Sequence, residues 1–317
     1  MNGRFRRLAL TPLLLALLVG GAAAGAHAPA FVLTWGSRGS APGKLRRPHT
    51  IAAGTNGTIC VGDTDNNRLQ FFDRAGHFLS QLPTSAAGMA IGPAGRIVMA
   101  HPDVNRVRII DEDGVELASW GSTGSGPGEF RGAYDVDFDG RGRVYVTDIS
   151  NHRVQYFTEA GAWLGEWGGF GTAPDRMRYP QGLAIDPQGN VFVADSGNSR
   201  IQKFKPDGAL ITEWGSFGAG AGQFNLPNFI AVDRRGRVYV ADQRNNRIQV
   251  FDGEGRFLAA VGSRGSGPGQ FNEPGDVAVD PAGFIYVADT NNHRVQKFSP
   301  LRGEDPSLTR SAQPRWP

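Results

Sequence analysis

Six arginines, Arg68, Arg106, Arg153, Arg200, Arg247 and Arg294, stand at steps of 38, 47, 47, 47 and 47 residues. Five of them follow an aspartate at a spacing of five: Asp63, Asp148, Asp195, Asp242 and Asp289. His101 takes that place before Arg106. Carboxylate–guanidinium pairs at one spacing can serve as a charged catalytic ring or as fasteners across a turn. A pair written into almost every copy of a motif cannot mark a single active site. The pairs are therefore read as pins of a hairpin, with Asn151, Asn198, Asn245 and Asn292 expected in the left-handed turn conformation.

The elements that position these residues follow from the period. A fixed repeat of this length marks a solenoid, propeller or array. Within residues 180–218, four short runs alternate apolar and polar residues and are separated by Pro-Gln-Gly, Ser-Gly-Asn and Pro-Asp-Gly turns. That patterning predicts four antiparallel strands per repeat, which is a propeller blade. Six arginines predict six blades. Trp35 lies 33 residues before Arg68, as Trp120, Trp167 and Trp214 do before theirs, so Phe31–Gly36 is a fourth strand without a blade of its own. The last repeat runs out after Phe298. The expected fold is an all-β six-bladed propeller over 29–300, closed by strand 31–36 completing the last blade.

Residues 1–28 read as a signal peptide, with Arg4, Arg6 and Arg7 ahead of the apolar run Leu8–Val19 and an Ala26-His27-Ala28 cleavage pattern. Cleavage is expected after Ala28, giving a secreted or periplasmic protein. Residues 301–317, with three prolines, read as a disordered tail. Of the 33 Lys and Arg residues, three lie in 1–28, leaving 30 against 30 Asp and Glu and a formal net charge of 0. Nucleic-acid binding and membrane insertion after cleavage lose their support, and a monomer is expected. Cys60 is the single cysteine, so no internal disulfide forms. No nucleophile elbow, metalloprotease helix, Walker loop or dinucleotide fingerprint is present.

The segments Gly222–Phe251 and Gly269–Phe298 resemble the NHL repeat, in the pattern Gly-x-Phe, Ala-Val-Asp, Tyr-Val-Ala-Asp, Asn-x-Arg and Gln-x-Phe. The resemblance covers about 31–300. It implies a six-bladed propeller used as a protein-, peptide- or nucleic-acid-binding platform. The family also includes the zinc-dependent peptidyl-hydroxyglycine amidating lyases, and fold does not decide between these roles. Pro48-His49-Thr50-Ile51 resembles the segment that supplies a zinc ligand in those lyases. The matching places elsewhere hold Ala87, Tyr134, Gln181, Asn228 and Gly275, so two of the family's histidines are absent. His152 and His293 fall in hairpin turns three blades apart, and His77 in a surface turn. No cofactor is expected. His49 is left as the one metal candidate, with zinc or calcium as the ion, and Asp63–Asn67 reads as a turn rather than a calcium loop.

Function in a propeller is expected where the blades differ, at the channel mouth. Arg46, Arg131 and Arg178 precede the innermost strands of three blades, and His49, Tyr134, Asp135, Gln181, Asn228 and Asp276 begin innermost strands. Together they form the predicted ligand-binding set, suited to an anionic ligand or a peptide carboxylate. The reading is a non-catalytic platform for a protein, peptide or glycan. The alternative is a metal-dependent enzyme of the amidating-lyase or lactonase type at the same mouth.

Overall fold

The computed structural model describes residues 28–301. The signal-peptide reading of 1–28 and the tail reading of 301–317 fall outside them, except for Ala28 and Leu301. Six four-stranded antiparallel sheets follow one another in sequence order. Their innermost strands are Pro48–Ala53, Gly88–Ile91, Ala133–Phe138, Pro180–Ile185, Pro227–Val232 and Asp276–Val279. Blades 1 to 6 are named in that order. The second strand of a blade is covered on both faces, so Val191–Asp195, Val238–Asp242 and Ile285–Asp289 are buried throughout. Phe31–Trp35 pairs with Arg294–Phe298 and completes the last blade, as expected. Leu301 is not part of a tail. It is 5% exposed in the core of blades 5 and 6, and its carbonyl accepts a bond from Arg237 Nη1 at 3.0 Å. No helix among the described residues is long and apolar enough to cross a membrane.

Neighbouring blades are stapled by tryptophan. Trp35, Trp120, Trp167 and Trp214 each pack at a tilt against a phenylalanine of the next blade (Phe72, Phe157, Phe204 and Phe251), at 5.6–5.8 Å between ring centroids. Each indole also lies flat on a turn glycine of that blade. A Cβ at Gly255 would stand 2.6 Å from the Trp214 ring. Leu82 fills this role between blades 1 and 2, where a Cβ on Gly114 would meet it at 2.9 Å.

The repeated Asp, Asn, Arg and Gln form one buried clamp. In blade 4, Asp195 Oδ1 accepts the Arg178 N–H at 2.7 Å, and Oδ2 accepts from Asn198, Arg200 and Gln202 at 2.8, 2.8 and 3.0 Å. The Arg200 terminal nitrogens donate to the carbonyls of Thr172, Ala173 and Arg176 at 3.0, 2.8 and 2.7 Å. Those carbonyls belong to the linker that enters the blade, so the clamp pins the linker as well as the hairpin. The same set recurs in blades 1, 3, 5 and 6. The asparagines are not left-handed. That conformation falls one residue later, on Asn67, His152, Ser199, Asn246 and His293. The asparagine must stay right-handed to span from the Asp carboxylate to a linker carbonyl, as Asn198 does to Gly171 O at 2.9 Å.

The Asp63, Asp148, Asp195, Asp242 and Asp289 side chains are fully enclosed. Removing one partner of such a pair leaves a buried charge uncompensated, at a cost of about 3–5 kcal/mol. Asp195→Ala is expected to destabilise the fold by that amount in denaturant unfolding and to make linker 168–178 sensitive to protease. A loss below about 1 kcal/mol would show that the clamp is dispensable.

Candidate functional site

The innermost strands of blades 1, 3, 4 and 5 begin with a register shift against their neighbours, between Pro48 and Thr50, Ala133 and Val136, Pro180 and Leu183, and Pro227 and Ile230. Bulges of this kind re-aim side chains. Here His49, Tyr134 and Phe229, from alternate blades, meet on the axis. His49 is 5.4 Å from Phe229 and 6.4 Å from Tyr134, both edge to face, and Tyr134 stacks on Phe229 at 5.7 Å. The intervening blades make room with glycine, since a Cβ on Gly182 would sit 2.5 Å from Phe229 Cα. The three rings cap the channel on the face that carries the linkers. Burial holds the His49 imidazole below its ordinary range, and it pushes the Tyr134 phenol up to about 12 with help from Asp135 and Asp276. Both side chains are neutral near pH 7.

Beyond the cap the channel holds a cavity of about 170 Å³, with Asp135, Asp137 and Asp276 in its wall. Each carboxylate bridges two blades. Asp135 accepts the Leu183 N–H at 2.8 Å, Asp137 the Ile185 N–H at 3.0 Å, and Asp276 the Ile51 N–H at 2.8 Å and the Thr50 hydroxyl at 3.1 Å. Their other oxygens accept from Val136, Phe138 and Val277. Burial raises Asp137 and Asp276 to about 7 and raises Asp135 well above the usual carboxylate range, with the Asp276 charge adding to the last.

A larger cavity, about 390 Å³, opens beside the cap over blade 2. His49, His101, Tyr134, Asp103 and Val104 line it, with Thr64, Ser85, Ala86, Ala87 and Pro102. It exists because blade 2 follows a bare turn: Leu82 leads to Gly88 through five residues, without the linker that covers the other hairpins. His101 Nε2 is buried without a hydrogen-bond partner. Burial, and then the Arg108 charge, lower this imidazole to about 4. Ser85 Oγ donates to Asn67 Oδ1 at 2.6 Å rather than to an imidazole, so no activated nucleophile forms there.

The structure places the sequence-predicted residues in three groups. His49, Tyr134, Asp135 and Asp276 gather at the cap and in the channel wall. Arg46 and Arg131 are exposed, contributing backbone N–H groups to Asp63 and Asp148. Arg178 lies 5.6 Å over the Phe170 ring. Gln181 is half-buried and its carbonyl accepts from Thr147 Oγ1, while Asn228 is buried with Oδ1 unpartnered. The arginines line neither cavity. Sequence reasoning missed His101 and Val104 as cavity residues. The signal was present, because blade 2 replaces the clamp's Asp, Asn and Gln by His101, Val104 and Arg108 where it drops the linker. As for a metal, no group of three His, Cys, Asp or Glu side chains able to hold an ion lies among the described residues. The Asp63 carboxylate, in the predicted turn 63–67, already accepts from Arg46, Asn66, Arg68 and Gln70.

The NHL repeat family matches residues 45–72, 177–204, 224–251 and 271–298, which fall in blades 1, 4, 5 and 6. The chain is a six-bladed β-propeller that carries NHL repeats in four of its blades. Over 50 residues it is 44% identical to Protein lin-41 of Caenorhabditis elegans, a stretch that is 16% of this chain and 4% of that protein. The chain thus spans a small fraction of that relative's length. Among solved structures it is similar to a gluconolactonase of Xanthomonas campestris, at 16% identity and a TM-score of 0.63 over 86% of this chain and 98% of that one. A streptogramin B lyase matches at 16% identity and a TM-score of 0.57, covering 81% and 94%. A Bacteroides thetaiotaomicron protein of unknown function matches at 19% and 0.67, covering 86% and 76%. At these identities the likeness shows the fold alone.

Two titrations test the electrostatics. Asp137 and Asp276 hold protons when folded that the unfolded chain releases, so their contribution favours folding fully below about pH 4 and is lost as pH rises to about 7. Carbon NMR of the carboxyl groups is expected to show two aspartates titrating near pH 7, and finding every carboxyl ionised by pH 5 would contradict this. His101 acts in the opposite sense, its contribution being present above about pH 6.5 and lost as pH falls to about 4. Between pH 6.5 and 4, a His101→Gln variant should therefore lose less melting temperature than the native protein.

Proposed function

We propose that this propeller is a non-catalytic binding platform, secreted or periplasmic, that takes a protein, peptide or glycan ligand at the mouth on its linker face. The observation that carries the reading is the cavity of about 390 Å³ over blade 2, where apolar walls meet polar groups, the Asp103 carboxylate among them, and His101 Nε2 waits without a partner. Pockets of this size and composition suit recognition by a few directed hydrogen bonds within an apolar surround. The channel carboxylates are engaged by backbone N–H groups across blade boundaries, a structural employment that leaves them poorly placed to act on a substrate.

The enzymatic alternative draws support from the gluconolactonase and the lyase among the structural neighbours. A metal centre of that kind requires three convergent protein donors and an open position. The residues present do not fit it: His49 stands at the mouth with its ring against Tyr134 and Phe229.

Two measurements on residues 29–317 separate the readings. Elemental mass spectrometry of protein purified without chelators is expected to find no stoichiometric zinc or calcium. One ion per chain, lost in His49→Ala, would favour the enzyme. A thermal-shift screen of peptides and oligosaccharides should yield ligands that raise the melting temperature, with the shift abolished in Tyr134→Ala and His101→Phe. Ligands whose shifts are untouched by both changes would place binding elsewhere.

A further inference from the structure

We propose that blade 2 receives an extended segment of another polypeptide, seated where the other five blades hold their own linkers. The inference rests on reading the linker face as the binding surface, and it commits that surface to a peptide main chain.

The chain itself shows what chemistry the place accepts. In blades 1, 3, 4, 5 and 6 the terminal nitrogens of the clamp arginine donate to linker carbonyls, as Arg153 does to Ser125, Gly126 and Glu129 at 2.8–2.9 Å. The glutamine two residues on reads the same backbone in both senses. Gln155 accepts the Gly128 N–H at 2.9 Å and donates to the Glu129 carbonyl at 2.7 Å. An apolar anchor ends each linker, and Leu45, Phe130, Met177, Phe224 and Phe271 are all fully buried. Five occupied copies of one site define its ligand as main chain followed by an apolar side chain.

Blade 2 keeps the arginine of this site and lacks the occupant. Pro83 stands at the anchor's sequence position and is exposed. Arg106 keeps the clamp position, but with no aspartate beside it the side chain is exposed and its Nε turns to Ser119 Oγ at 3.1 Å. Among the described residues no linker carbonyl meets its terminal nitrogens. His101, Val104 and Arg108 replace the Asp, Asn and Gln that would bind a linker of this chain's own, while Val104, Ala86 and Pro102 offer an apolar wall. Arg106 thus has donors for main-chain carbonyls, His101 a ring nitrogen for a main-chain polar group, and the wall a place for one apolar side chain.

The probes are five fluorescent peptides with the sequences of the chain's own linkers, among them residues 121–131, followed by anisotropy on the native protein. A graft variant carries a nine-residue linker, the sequence of 121–129, between Leu82 and Pro83, together with His101→Asp, Val104→Asn and Arg108→Gln. Saturable binding of at least one peptide by the native protein is expected, at least tenfold weaker in the graft. Arg106→Ala, a surface change that leaves the core untouched, should weaken it about tenfold, the effect of one charge-assisted bond set. Equal affinity for native and graft would overturn the inference while leaving a peptide-binding face in place. So would failure of all five peptides alongside oligosaccharides whose binding depends on Tyr134. Failure of every peptide and every oligosaccharide would remove the binding reading itself.

Discussion

The structure depends on a carboxylate wholly enclosed by the protein. Each clamp aspartate is buried where an ion is tolerated only if its lone pairs are filled, and here they are filled by a backbone N–H, an asparagine, an arginine and a glutamine. Because the donors come from a hairpin turn, a strand and a linker, the one charge fixes the relative position of three chain segments. The tryptophan staples join blades by area and shape. The clamp adds direction, holding each linker flat on its own blade.

The mouth is a consequence of where that constraint is relaxed. Blade 2 gives up the carboxylate, the asparagine, the glutamine and the linker together, which is physically coherent: without a linker to hold, a buried charge would be costly and purposeless. What is left is an open shelf between a capped channel and a blade edge. The cap itself depends on alternation around the ring, with side chains sent inward from odd blades and glycine in even ones. Six identical blades could not close the axis in this way, since six large residues at one level would collide.

Much of the fold was legible because period, turn chemistry and strand alternation agree. The stray Trp35, placed 33 residues ahead of Arg68, was enough to reveal how the ring closes. Two things were not legible. The left-handed residue of the hairpin turns was misplaced by one, since asparagine's tolerance of that conformation competes with its ability to bridge two acceptors, and bridging prevailed. The site was read as arginine-rich because Arg46, Arg131 and Arg178 are close in sequence to the inner strands. Their backbone N–H groups are used by the clamp, and their side chains lie outside both cavities. Conversely, His101 looked like an isolated oddity in one repeat. Only the three-dimensional coincidence of a lost linker with an unfilled imidazole gives it meaning.

Closure by the N-terminal strand also sets an orientation. Phe31 lies opposite Phe298, and Ser299 N–H donates to the Ala30 carbonyl at 2.8 Å, so the two ends of the propeller leave side by side. They leave from the face opposite the linkers, because the third strand of a blade runs from its clamp arginine away from that face. Ala30 and Ser299 therefore sit together on the face that the shelf over blade 2 turns away from, so the seam that closes the ring ends as far from the shelf as the length of a strand allows.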